Sequence, residues 1–170
     1  MNSQHVIDAK PSAIFLLCLV YAIHMVEEFT LGFVEWANRY FGRFDWTQNL
    51  IGNSAYVLLL VAACYLYYKN PSRYLWLGMA SAMWVLANAF IHLSATILSG
   101  EYSPGVVTAT ILYIPSGLYF LQKWGRAGLL GWRNLTLSFV VGGVLIMLLP
   151  TFARATVFDA QLARVFHLVQ

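Results

Sequence analysis

The chain has 170 residues, 60% of them hydrophobic and only 10% charged, with a formal charge of +3. An average soluble domain carries about 25% charged residues, so the composition excludes an ordinary soluble protein and indicates an integral membrane protein. Its ten Lys and Arg are spread thinly between apolar runs, which argues against a nucleic-acid-binding patch and leaves them the role of setting topology.

Lys10 is the only Lys or Arg ahead of the first apolar run, and no small-x-small cleavage site follows it, so the first hydrophobic segment is expected to stay in the mature protein. That segment is predicted to span residues 12–34. A stop at Val26 would leave 15 residues from Ser12, roughly 22 Å of helix against a hydrocarbon core of about 30 Å. Glu27 and Glu28 therefore fall inside the span. The stretch from Glu35 to Trp46 mixes aromatic and charged residues in the manner of an interfacial segment. A second span is predicted over 49–68, closed by Lys69-Asn70-Pro71, and a third over 74–98, ended by Ser99-Gly100-Glu101. The fourth, over 105–121, follows Pro104-Gly105 and is expected to kink at Pro115. The fifth covers 135–150, and the tail from Thr151 to Gln170 is expected to lie on the membrane surface.

The expected fold class is thus all-α: a polytopic transmembrane bundle of about five spans plus interfacial helical segments, forming a single membrane domain over 1–170. Cys18 and Cys64 lie in apolar runs, where a free cysteine behaves as a small hydrophobe, so neither a disulfide nor a thiol nucleophile is expected. Trp36, Trp46, Trp76, Trp124 and Trp132 are expected mostly as interfacial anchors. Lys10, Lys69, Arg73, Lys123, Arg126 and Arg133 share the side of the N-terminus, against Arg39, Arg43, Arg154 and Arg164 on the other. Six against four favours a cytoplasmic N-terminus.

The first and third spans run in the same direction, so residues late in each approach the same membrane face. His24, Glu27 and Glu28 are late in the first span; Asn88 and His92 are late in the third, four residues apart. Asn53, Glu101 and Thr108 fall at the same end. At about 100° per residue, His24, Glu27 and Glu28 can all look into one cavity. An ionisable group near the bilayer centre costs roughly 2.5–3.5 kcal/mol, so such a cluster needs a partner, a proton, a metal or a watery chamber. Ser81, Ala95 and Ser99 extend a small or polar stripe along the third span, interrupted by Val85, which suggests that this span is central. His5 and His167 lie outside the spans and are expected as surface groups.

His24-Met25-Val26-Glu27-Glu28 on an early span, Asn88 through His92 on a later one, and Tyr102-Ser103-Pro104-Gly105 leading into another resemble the HXXEE family of small multi-pass prokaryotic membrane proteins. The resemblance implies a prokaryotic cytoplasmic membrane and makes His24, Glu27 and Glu28 the hallmark residues. It implies nothing about activity. The paired glutamates are also faintly similar to those of CAAX-type intramembrane proteases. There an arginine would follow the pair, whereas here Phe29-Thr30-Leu31-Gly32 follows, which argues against proteolysis.

Three chemistries suit the constellation. In the first, His24, Glu28 and His92 hold a divalent metal, zinc or iron, with Glu27 as fourth ligand or general base and Asn88 as an orienting group. Such a site would act on an apolar or amphiphilic small molecule admitted from the membrane lipids. In the second, the same groups are a metal-free acid–base pair for an isomerase or cyclase. In the third they form a proton or metal-ion pathway. The concentration of polar residues in one half of the bilayer favours a pocket over a pore, although a homo-oligomer packed through Gly142-Gly143 would also suit transport.

Overall fold

Pro11 occupies the start of the first element, where its missing N–H costs nothing. A 3-10 turn, Pro11–Phe15, runs directly into helix α1, Leu16–Thr30. The computed structural model describes residues 10–40 and 45–148, with no strand among them. The chain turns at Leu31-Gly32 and continues as the short helix α2, Phe33–Tyr40, which buries Val34, Trp36 and Ala37. The predicted 12–34 segment is therefore divided by a turn after Thr30.

Asp45 opens α3, Trp46–Lys69, with a reciprocal cap: its carboxylate accepts the Gln48 N–H while the Gln48 side chain accepts the Asp45 N–H. Asn70 then ends α3 and caps α4, Pro71–Ser99, by accepting the Arg73 N–H, with Pro71 at the helix start. The next helical stretch comprises α5, Val106–Thr108, a π-helical turn, Ala109–Tyr113, and α6, Ile114–Arg126. The π turn immediately precedes Pro115, where the ordinary ladder must give way because proline has no N–H to donate. Last comes α7, Trp132–Ser138, continuing as a π-helical segment, Phe139–Leu148.

The segments Pro11–Thr30, Trp46–Lys69 and Pro71–Ser99 are each long and apolar enough to cross a membrane. Helix α4 is the hub, packing against α3, α6, α7 and both π-helical segments. Its buried face carries Met79, Ala82, Trp84, Val85 and Ala89, so Val85, the residue that interrupts the small stripe, is itself core. The outward faces carry large apolar side chains, with Leu58 70% and Ile97 78% exposed, as lipid-facing positions require. Gly142 lies so close to α4 that a Cβ there would fall 2.0 Å from the Ala80 carbonyl oxygen. Gly142 thus permits close packing of this segment on α4 within the chain.

Two tryptophans expected at an interface are core residues. Trp36 and Trp124 are 4% and 1% exposed, and the Trp124 indole donates to the Tyr67 hydroxyl at 3.1 Å. Aromatic bulk was available to fill gaps between helices, and packing took it. Cys18 and Cys64 are free thiols. His5, His167, Arg43, Arg154, Arg164 and the tail 151–170 lie outside the described residues.

Candidate metal centre

Helix α1 brings His24 and Glu28 to one face through their four-residue spacing, and α4 brings His92 to meet them across the core. The His24 Nε2 lies 3.5 Å from Glu28 Oε1, and the His92 Nε2 lies 3.3 Å from the same oxygen. The two imidazoles meet edge to face with centroids 4.8 Å apart. All three side chains are buried: His24 is 1%, His92 3% and Glu28 5% exposed. One potential ligand atom from each lies within 4.8 Å of the others. The His24 Nε2 is sealed from solvent and makes no hydrogen bond.

The opposite ring nitrogens are anchored by the segment between α4 and α6. His24 Nδ1 pairs with the Thr108 hydroxyl at 2.8 Å, and His92 Nδ1 with the Ser103 hydroxyl at 3.1 Å. Ser103 is fully buried, and its N–H is directed at Thr96 Oγ1. Gly105 fits this crevice because it has no side chain: a Cβ there would sit 2.7 Å from the Cε1 atoms of both histidines. Its φ of +103° is a conformation that glycine adopts without steric cost. Tyr113 closes the wall, its ring centroid 4.5 Å from that of His24, with Tyr21 stacked behind it at 6.3 Å. From α2, the Phe33 ring lies 6.0 Å from His92.

Glu27 points elsewhere. Its Oε1 accepts the N–H groups of Gly105 and Val107 and the Tyr102 hydroxyl, and its Oε2 accepts the Thr108 N–H and hydroxyl. Five donors from residues 102–108 thus converge on one carboxylate. Desolvation, together with the bond to Glu27, holds the Tyr102 hydroxyl above the ordinary phenol range.

Of the residues singled out from sequence, the structure brings together His24, Glu28 and His92, and places Glu27 beside them with its oxygens given to the loop. Asn88 sits one turn before His92. Its amide donates to Met147 Sδ at 3.4 Å, its Oδ1 is buried without a hydrogen bond, and it makes no hydrogen bond to the three clustered residues. Asn53 accepts the Tyr21 hydroxyl and donates to Asn49. Glu101 forms an exposed ion pair with Arg39 at 2.9 Å. Ser103, Gly105 and Tyr113 are the contributors that residue type alone did not reveal. The first two belong to the Tyr102–Gly105 run, the part of the sequence resemblance that carried no evident chemistry.

A helical bundle of membrane-crossing length with this His, Glu, Glu and His arrangement defines a class. The chain belongs to the family described as proteins of unknown function with an HXXEE motif, whose model matches residues 15–120. It is similar to the uncharacterized protein YrkK of Bacillus subtilis (strain 168), with 26% identity over 142 residues, or 78% of this chain and 88% of that protein. No solved structure matches the chain significantly.

Proposed function

We propose that this protein is an intramembrane enzyme that holds a divalent metal on His24, Glu28 and His92 and acts on an apolar or amphiphilic small molecule drawn from the membrane. The observation that carries the proposal is the convergence of two buried imidazole Nε2 atoms on one carboxylate oxygen. Ligands about 2.0–2.1 Å from a tetrahedral ion are about 3.3 Å apart, close to the 3.3 and 3.5 Å separations found. An orphaned buried nitrogen is also costly unless something occupies its lone pair. Two imidazoles and a carboxylate suit zinc or iron and leave coordination positions free. A bound ion would supply Lewis acidity toward an oxygen of the substrate.

The chain's own residues supply the remainder. Tyr113, Tyr21 and Phe33 keep bulk water from the imidazoles. Ile23 and Val26 on α1, and Val107 and Ile111 beyond the loop, are all exposed apolar neighbours of the site residues, which favours lateral entry from lipid. Glu27 fixes the loop that anchors both rings, rather than serving as a ligand. With the N-terminus cytoplasmic in a prokaryotic cytoplasmic membrane, the site lies nearer the opposite face.

Elemental analysis of detergent-purified protein tests the proposal. About one divalent ion per chain is expected in the wild type, and background levels in His24→Ala and His92→Ala. Wild-type protein without stoichiometric metal would instead favour the acid–base reading, with a proton between Glu28 and a histidine. Ion flux in liposomes would favour transport.

A further inference from the structure

We infer that Glu27 is a positioning residue that acts through Thr108 to hold His24 in the tautomer with its proton on Nδ1, leaving the Nε2 lone pair directed at Glu28. A threonine hydroxyl has one proton to donate and lone pairs to accept with. Thr108 Oγ1 has three neighbours: Glu27 Oε2, the Gly105 carbonyl oxygen at 3.2 Å and His24 Nδ1 at 2.8 Å. Neither the carboxylate nor the carbonyl can give it a proton. If Thr108 donated to His24, its oxygen would face the Glu27 carboxylate with nothing between two sets of lone pairs. The Thr108 proton therefore goes to Glu27, and His24 Nδ1 must be the donor to Thr108. The other ring nitrogen is left bare.

At the other end, Nε2 makes no hydrogen bond and lies 3.5 Å from Glu28 Oε1, so its bare lone pair and the carboxylate oxygen face each other across a gap that a cation would bridge. A proton on Glu27 Oε2, the oxygen that faces Thr108, would compete with the Thr108 N–H directed at that same oxygen, so the carboxylate form suits the donors around it. The adjacent glutamates thus have unlike tasks. Glu28 faces the imidazoles, whereas Glu27 sets, two hydrogen bonds away, which atom of His24 is available. The tautomer stands on the hydrogen bonds alone, while its consequence for metal affinity rests on the reading proposed above. Carboxylates that orient a ligating histidine in this indirect way are typically worth 10–100-fold in metal affinity.

The test is ¹⁵N NMR of the metal-free protein in detergent with labelled histidine, followed by zinc titration. In the wild type, His24 should show a protonated Nδ1 and an unprotonated Nε2. Thr108→Val keeps the shape and removes the hydroxyl, so the proton should move to Nε2, beside Glu28, and zinc affinity should fall 10–100-fold. Thr108→Ser should restore both. An unchanged His92 spectrum in each variant shows that the fold is intact, and Glu27→Gln should shift the His24 signals in the same sense as Thr108→Val. A wild-type His24 protonated on Nε2, or on both nitrogens, overturns the inference, as does a Thr108→Val variant with the wild-type tautomer. If the tautomer is as stated but wild-type protein takes up no metal, this inference stands and the proposed metal site falls.

Discussion

Glu27 and Glu28 are neighbours in sequence but about 100° apart around α1, and that rotation sends one to the loop and the other to the imidazoles. Sequence spacing brought His24, Glu28 and His92 to attention, because each stood in an apolar run where an ionisable group needs a reason. It could not divide the two glutamates, since that depends on where residues 102–108 cross α1. Nor could it show that Gly105 is enclosed by two rings. Gly105→Ala should therefore damage both stability and site: the strained φ alone costs about 1–3 kcal/mol, and the new methyl would press on both histidines. Thermal unfolding in detergent should show a lower midpoint, with weaker zinc uptake alongside. An alanine variant matching wild type in both would mean that the loop does not grip the rings as described. Asn88→Ala should leave zinc uptake intact, because its amide is engaged with Met147 and not with the cluster.

Among the elements, the long apolar helices were the most legible part, because hydropathy and the Pro and Gly breaks mark them directly. The turn at Leu31-Gly32 was less so: a continuous helix through Val34 satisfied the membrane-thickness argument equally well. The π-helical turn before Pro115 is invisible to residue counting, since it adjusts the ladder locally without changing the apolar pattern. Helix contacts yield two contrasting predictions. Gly142→Ala drives a methyl group into the backbone of α4 and should cost about 1–3 kcal/mol, measured by chemical or thermal unfolding. Arg39→Ala breaks an ion pair whose side chains are 59% and 50% exposed, so unfolding should shift by no more than about 1 kcal/mol. A large loss from Arg39→Ala and none from Gly142→Ala would reverse the account of what holds the bundle together.

At the scale of the whole molecule, the site sits toward one end of the bundle. The loop Ser99 to Gly105 and the cap residues Asp45 and Gln48 lie at the end of the bundle that holds the site, whereas Lys69 and Arg73 lie at the other. With a cytoplasmic N-terminus, a membrane-impermeant thiol reagent applied to intact cells should label Glu101→Cys and spare Ser72→Cys. The opposite pattern would invert the orientation while leaving the site unchanged. The central claim is that one ion is shared by two imidazoles and a carboxylate inside the bundle, and its most direct test is X-ray absorption at the metal edge of zinc-loaded protein. The account predicts a shell of nitrogen and oxygen at about 2.0–2.1 Å with the scattering signature of two imidazoles, reduced to one in His92→Ala. A shell of sulfur, or one without imidazole scattering, would contradict it.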